Sequence, residues 1–429
     1  MLSQSLKAQL FIELHREHLN NIISLYQNRE YAHQRWFTKI TYIHKVQQRL
    51  LASIAVMKSH SAFYASILNT HMEATPKDMI RPGEIFALGL TKLLNDARDF
   101  TQSLETATAF DGELTRAYFR ALWHVDHQTR YGCINELIAI GGLQPELIDV
   151  LKESDDEAVS LLLIELISDH LAKPELSKQE NQFVSMLEFL CQHRTKLSEK
   201  HAQTIAGLEA HTTSGQAALI ELRASVGLTT PPTYIEALLK DELCTIPELI
   251  KLGALLSPPE CLHMARALDQ VGKPIHAYVL VAVSGLSAGI PLLIERMQSE
   301  HAAHAAMAGF AFTLITGLAI EAPPYGRSTE LFSKEHQDFI DLSLDDYLEL
   351  PLPNYQAVLE LWRKESSRFD QSARYLSGRK IEELSEQGLS SLFDNTNLFY
   401  QYVLRGEIIK QHQAMVPPRL LTQSAFASR

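Results

Sequence analysis

Gly253, Gly285 and Gly317 recur at intervals of 32 residues. Each is expected to close an apolar helical segment, in KLGALLSPPECLHMARAL, AVSGLSAGIPLLIERM and LITGLAIEAPPY. Self-similarity at such a period is the mark of stacked helix pairs, because one pair cannot bury its apolar face alone. The spacing predicts a scaffold that offers a surface, in preference to a pocket built around a reaction.

A second internal match supports the repeat. GGLQPELIDVLKESDDEAVSLLLIELI aligns with SGLSAGIPLLIERMQSEHAAHAAMAGFAFTLI: a glycine turn, an apolar helix, a charged break and a second apolar helix. In both, a proline (Pro145, Pro291) falls in a first helical turn, where a missing N–H costs little. From Asp111 to Ala322 short breaks such as GLTTPPT, LLSPPE and QVGKP separate helix-like segments, as in bundles and solenoids. The pattern is HEAT-like and the expected fold class is all-α. Three parts are expected: an N-terminal helical region over 1–110, HEAT-like helical repeats over 111–322, and a Pro-rich linker with a C-terminal helical subdomain over 323–429.

In the N-terminal region, Leu6, Leu10, Ile12, Leu14, Leu19, Ile22, Ile23 and Leu25 largely fit a helical stripe. The run WFTKITYIHKVQQRLLASIAVMKSHSAFYASIL has no Gly or Pro and reads as helix, with a break near Ser59–Ser61. The opening MLSQSLKAQLFIELHREHLN carries charges early and has no long apolar core, so no secretory signal is expected. Ile275–Ile294 holds no Asp, Glu, Lys or Arg, but GLSAGIP in its middle is a turn signal. Two buried helices are expected there and no membrane span.

A formal net charge of -12 opposes a polyanionic partner, so no nucleic acid is expected. The basic stretches are Lys39–Arg49 and Arg363–Arg379, and neither has the density of a nucleic-acid arm. Cys133, Cys191, Cys244 and Cys261 form no CxxC pair and sit in apolar helical contexts, which predicts reduced, buried thiols and a cytoplasmic setting.

Three stretches, AFTLITGL at 311–318, DDYLELPLPN at 345–354 and LELWRKESSRFDQSARYLSG at 359–378, carry a resemblance. Together with SLYQNREYAHQRWFTKITYIHKVQQRLLASI near the start, they resemble a proteobacterial family of HEAT-like proteins often encoded among type VI secretion and effector-delivery genes. The chain departs from that pattern in its last helices, at NLFYQYVLRGEIIKQH. The resemblance implies a cytoplasmic adaptor or assembly factor for a secretion spike or effector. It carries no established activity and no catalytic residues.

Three histidine pairs stand at i, i+3: His15/His18, His124/His127 and His301/His304. Such pairs share a helix face and, with a carboxylate, hold metals. Here no acid lies at a known spacing and no H-E-x-x-H occurs, so no metal or cofactor is expected. There is also no G-x-S-x-G, P-loop or G-x-G-x-x-G. Glu153, Asp155, Asp156 and Glu157 read as a helix start. Trp36, Trp123 and Trp362 read first as core residues, with Trp362 the best interface candidate beside Arg363 and Lys364. Asp345, Asp346 and Tyr347, in an alternation of acid and apolar residues, are the other partner-binding candidates. The expected function is a non-enzymatic protein-binding scaffold. The rivals are a helical-repeat enzyme resembling a DNA glycosylase and a structural self-assembling protein.

Overall fold

The computed structural model describes residues 4–34, 40–103, 111–152, 156–171, 180–320, 323–327 and 350–384. Asp345, Asp346, Tyr347 and Trp36 lie outside the described residues. Among the described residues the chain is all-α apart from two short antiparallel strand pairs. It divides into two compact units, one within Met1–Gln34 and Ile40–Thr204, the other within Ile205–Pro417.

The first unit begins with α1 (Gln4–Gln34), α2 (Ile40–Lys58), α3 (Ser61–Ala74) and α4 (Pro82–Asn95). It continues with α5 (Ala97–Gln102), α6 (Gly112–Phe119), α7 (His127–Gly141), α8 (Pro145–Leu151), α9 (Glu157–Leu171) and α10 (Glu180–Gln192). The break expected near Ser59–Ser61 separates α2 from α3. Aspartates start several of these helices by accepting a free first-turn N–H. Asp96 takes Arg98 N at 2.9 Å, Asp111 takes Leu114 N at 2.9 Å, Asp126 takes Thr129 N at 3.0 Å and Asp156 takes Val159 N at 3.3 Å. Each such cap stabilises its helix by about 1 kcal/mol. Tyr26 of α1 stacks on Phe86 of α4 at 4.3 Å, and Phe100 of α5 stacks on Tyr118 of α6 at 4.5 Å, so aromatic pairs tie these helices together.

The stripe expected on α1 is only half used. Leu19, Ile22, Ile23 and Leu25 are buried, whereas Leu10, Ile12 and Leu14 are 47%, 39% and 63% exposed. The division follows position along the helix more than face: Ile12 is exposed although it is in phase with buried Leu19 and Ile23, and Leu25 is buried although it is in phase with Leu10 and Leu14.

The second unit contains α11 (Thr213–Ser225), α12 (Pro232–Lys240), α13 (Ile246–Leu255), α14 (Pro258–Gln270), α15 (Pro274–Ser284), α16 (Ile290–Arg296) and α17 (Ala302–Thr316). Prolines open α12 through α16 in the first turn. Thr245 with Glu248 and Ser257 with Glu260 form capping boxes at α13 and α14. Alternate helices α11, α13, α15 and α17 pack in succession, and α14 lies along α15, which is solenoid-like packing of helix pairs. The uncharged Ile275–Ile294 run is two buried helices, α15 and α16, joined by a turn. No helix among the described residues is long and apolar enough to cross a membrane.

The glycine triad divides by role. Gly285 and Gly317 close α15 and α17 in the left-handed region, at φ 67° and 66°. Gly253 does not close its helix; it sits inside α13, where a Cβ would stand 2.6 Å from Leu280 Cδ2. There the glycine allows α13 to approach α15.

The residues after α17 fold back on the same unit. Gly326–Arg327 (β1) pairs with Leu352–Pro353 (β2), α18 spans Tyr355–Glu365, and Tyr375–Leu376 (β3) turns into Arg379–Lys380 (β4) through Ser377 and Gly378. This hairpin closes two helix ends. Tyr375 N donates to Gly285 O at 2.8 Å, Ser377 N to Leu314 O at 2.7 Å and Gly378 N to Ile315 O at 2.9 Å. Arg374 Nε donates to Ser284 O at 3.0 Å. The same device recurs earlier in the unit. Lys273 Nζ donates to Lys240 O at 2.9 Å, at the end of α12, and Arg223 Nη2 to Ala206 O at 3.1 Å and Leu208 O at 2.6 Å, at and just past the end of a short helix over Glu199–Ala206. Cations at carbonyl ends satisfy orphan acceptors and oppose the negative end of the helix dipole.

Candidate protein-binding surface

Trp362 lies on α18, half-buried, with its ring against Phe312 at 6.0 Å and Phe369 at 5.3 Å. Phe369 in turn meets Tyr375 at 4.9 Å. The indole therefore braces α18 and the β3–β4 hairpin on α17. Arg363, the next residue, is exposed.

The histidine pairs also part company. His15 is buried with Nδ1 donating to Phe11 O at 2.7 Å, and His18 Nε2 donates to Ser53 O at 2.9 Å. His124 lies edge-on to Phe86 at 5.4 Å, and His127 Nδ1 bonds the Asp156 carboxylate. The rings of His301 and His304 stand 5.0 Å apart. No cluster of three or more His, Cys, Asp or Glu suited to a metal occurs among the described residues. The thiols are buried, and burial pushes Cys133 up to about 11 and Cys244 up to about 12, away from nucleophilic chemistry.

His193, at the end of α10, is 7% exposed and stacks near Phe189 at 4.5 Å. Burial, then the charge of Lys196, pushes its pKa down to about 4, against a hydrogen bond to the Lys152 backbone that raises it. Above pH 6.5 the ring is neutral in both folded and unfolded chains and contributes no pH dependence. Below 6.5 the unfolded chain takes up the proton while the folded one resists until about pH 4, so stability falls across that window. Lowering the pH from 7 to 5 is expected to cost about 2 kcal/mol through this group. Urea unfolding of His193→Phe should show that part of the acid slope gone; an unchanged slope would refute the assignment.

An outward groove lies between α1 and α2, about 480 Å³ in volume. Leu25, Asn28, Tyr42, Lys45, Val46, Gln48, Arg49 and Ala52 line it. Tyr42 is 50% exposed, and Lys45 and Arg49 stand one turn apart on the rim. Neither cation forms an ion pair among the described residues. Beyond the groove, α1 shows Leu10 and Leu14, and α2 shows Val56 at 48% exposure. Monomeric proteins rarely expose contiguous apolar surface of this kind without a use for it. The sequence held the signal in its basic Lys39–Arg49 run, whose cations alternate at helical spacing with Tyr42, Ala52 and Val56. No protein-family model, curated protein or solved structure matches the chain.

Proposed function

We propose that this protein is a non-enzymatic, protein-binding scaffold, acting in the cytoplasm as an adaptor or assembly factor for type VI secretion, with a spike or effector protein as its partner. The observation that carries the scaffold reading is the outward α1–α2 groove, apolar at its floor and cationic at its rim. The secretion assignment comes from the resemblance in DDYLELPLPN and LELWRKESSRFDQSARYLSG. The glycosylase-like rival requires a carboxylate at the centre of a basic groove, and the lining of this one contains neither Asp nor Glu.

Affinity capture of the tagged protein from its host, with mass spectrometry of the eluate, tests the reading. A stoichiometric spike, effector or baseplate protein is the expected result. Tyr42→Asp should reduce its recovery on the order of tenfold while the melting curve stays in place, because an aromatic contact at the centre of an interface carries a large share of binding. A bare monomer, or one that elutes with nucleic acid, would refute the scaffold reading.

A further inference from the structure

We infer that the α1–α2 groove is a seat for an amphipathic helix of a partner protein, one with acidic residues along the edge that meets Lys45 and Arg49. This rests on the scaffold reading and names the chemistry of its partner.

Helical phase and charge together select this ligand. On α1, Leu10, Leu14, Asn21, Leu25 and Asn28 fall within about 80° of one another at ~3.6 residues per turn. On α2, Tyr42, Lys45, Arg49, Ala52 and Val56 do the same. The α1 and α2 residues of the groove lining belong to these two stripes or flank them. All of these side chains except Leu25 are exposed. The stripes run about 27 Å on α1 and about 21 Å on α2; the groove itself is lined at Leu25 and Asn28 and from Tyr42 to Ala52, about 15 Å or three helical turns along α2. The groove, together with Leu10, Leu14 and Val56 exposed on the same two stripes beyond its end, fits the apolar face of a helix anchored at i, i+4, i+7 and i+11. A compact ligand would fill the groove and leave Leu10, Leu14 and Val56 uncovered.

Charge selects among helices. The α2 wall contributes Lys45 and Arg49, the α1 wall contributes the neutral amide of Asn28, and Gln48 lines the groove beside them. Glu17 lies at the margin of the α1 stripe near Leu14, away from the cationic end. The chain as a whole carries a net charge of -12, so an exposed pair of cations without ion-pair partners among the described residues is a local reversal of its field. An acidic helix edge complements that reversal; a basic one opposes it.

The test uses the full chain and a displayed library of helices about 20 residues long. Leu or Phe is fixed at the anchor positions, and each flanking position codes for Glu or Lys. Selection should enrich Glu over Lys by roughly tenfold along one edge, a factor equal to about 1.4 kcal/mol. The Lys45→Glu, Arg49→Glu double variant should invert the preference to Lys with its circular dichroism unchanged. No enrichment, or a preference that the double variant leaves intact, would overturn the inference. So would a chain that binds phosphatidylserine vesicles through Lys45 and Arg49 in place of any helix, or one that light scattering shows to be a dimer with the groove closed. If selection fails while the captured host partner still binds the double variant, the groove is refuted and the scaffold reading stands.

Discussion

Lys251→Met is expected to destabilise the second unit by about 3–5 kcal/mol. Lys251 of α13 faces Glu221 of α11 at 3.6 Å, with the side chains only 9% and 4% exposed. The pair joins α11 and α13, which pack on each other. An ion pair so far from water gains little net stability from its own attraction, because both ions lost their hydration. Removing the ammonium takes from a dehydrated carboxylate a cation that offsets much of that cost. Two results separate this account from simple loss of packing. Glu221→Leu combined with Lys251→Met should recover most of the loss, since it removes both charges and keeps apolar volume. Amide exchange across α11 and α13 should rise in the single variant and return in the double. Equal destabilisation in both variants would mean that the pair is not the cause.

Gly317→Ala is expected to cost on the order of 3 kcal/mol. Two effects add. Gly317 holds φ 66°, where a Cβ costs about 1–2 kcal/mol by backbone sterics alone. A Cβ built there would also stand 2.5 Å from Ser377 O, a backbone atom of the hairpin that closes α17. Gly378 presses in the opposite direction, with its own would-be Cβ 2.5 Å from Thr316 O. Two glycines thus let two backbones touch. Gly272→Ala is the control, because Gly272 has φ 80° but nothing within 4 Å of its would-be Cβ. Gly272→Ala should show only the conformational part, about 1–2 kcal/mol. In Gly317→Ala the Ser377 and Gly378 amides should lose exchange protection ahead of the rest. If both variants melt alike, the contact contributes nothing.

Local chemistry made the helical class legible. Prolines in first turns, aspartate caps and the two capping boxes each act within four residues, so their meaning survives without knowledge of the fold. Gly253 was legible as important and misread in role. Spacing reports that a side chain is absent, and a helix end and a helix crossing both ask for that. Trp362 read as an interface candidate from its basic neighbours, yet its contacts with Phe312 and Phe369 come from residues distant along the chain. The α1–α2 groove was missed for a related reason. A stripe of Leu on a helix has the same pattern whether it faces a core or a partner, so Leu10 and Leu14 could not be told apart from Leu19 and Ile22 until exposure was known.

The cations that close helix ends in the second unit all come from later in the chain. Arg223 reaches back 15 and 17 residues, Lys273 reaches back 32 and 33, and Arg374 reaches back 90 and 91. During synthesis each of these helices therefore leaves the ribosome with its carbonyl end open. It waits for a residue not yet made, and α15 waits longest of all. A nascent chain halted before Arg374 should show α15 fraying at Val283 and Ser284, and release of the remaining residues should seal it.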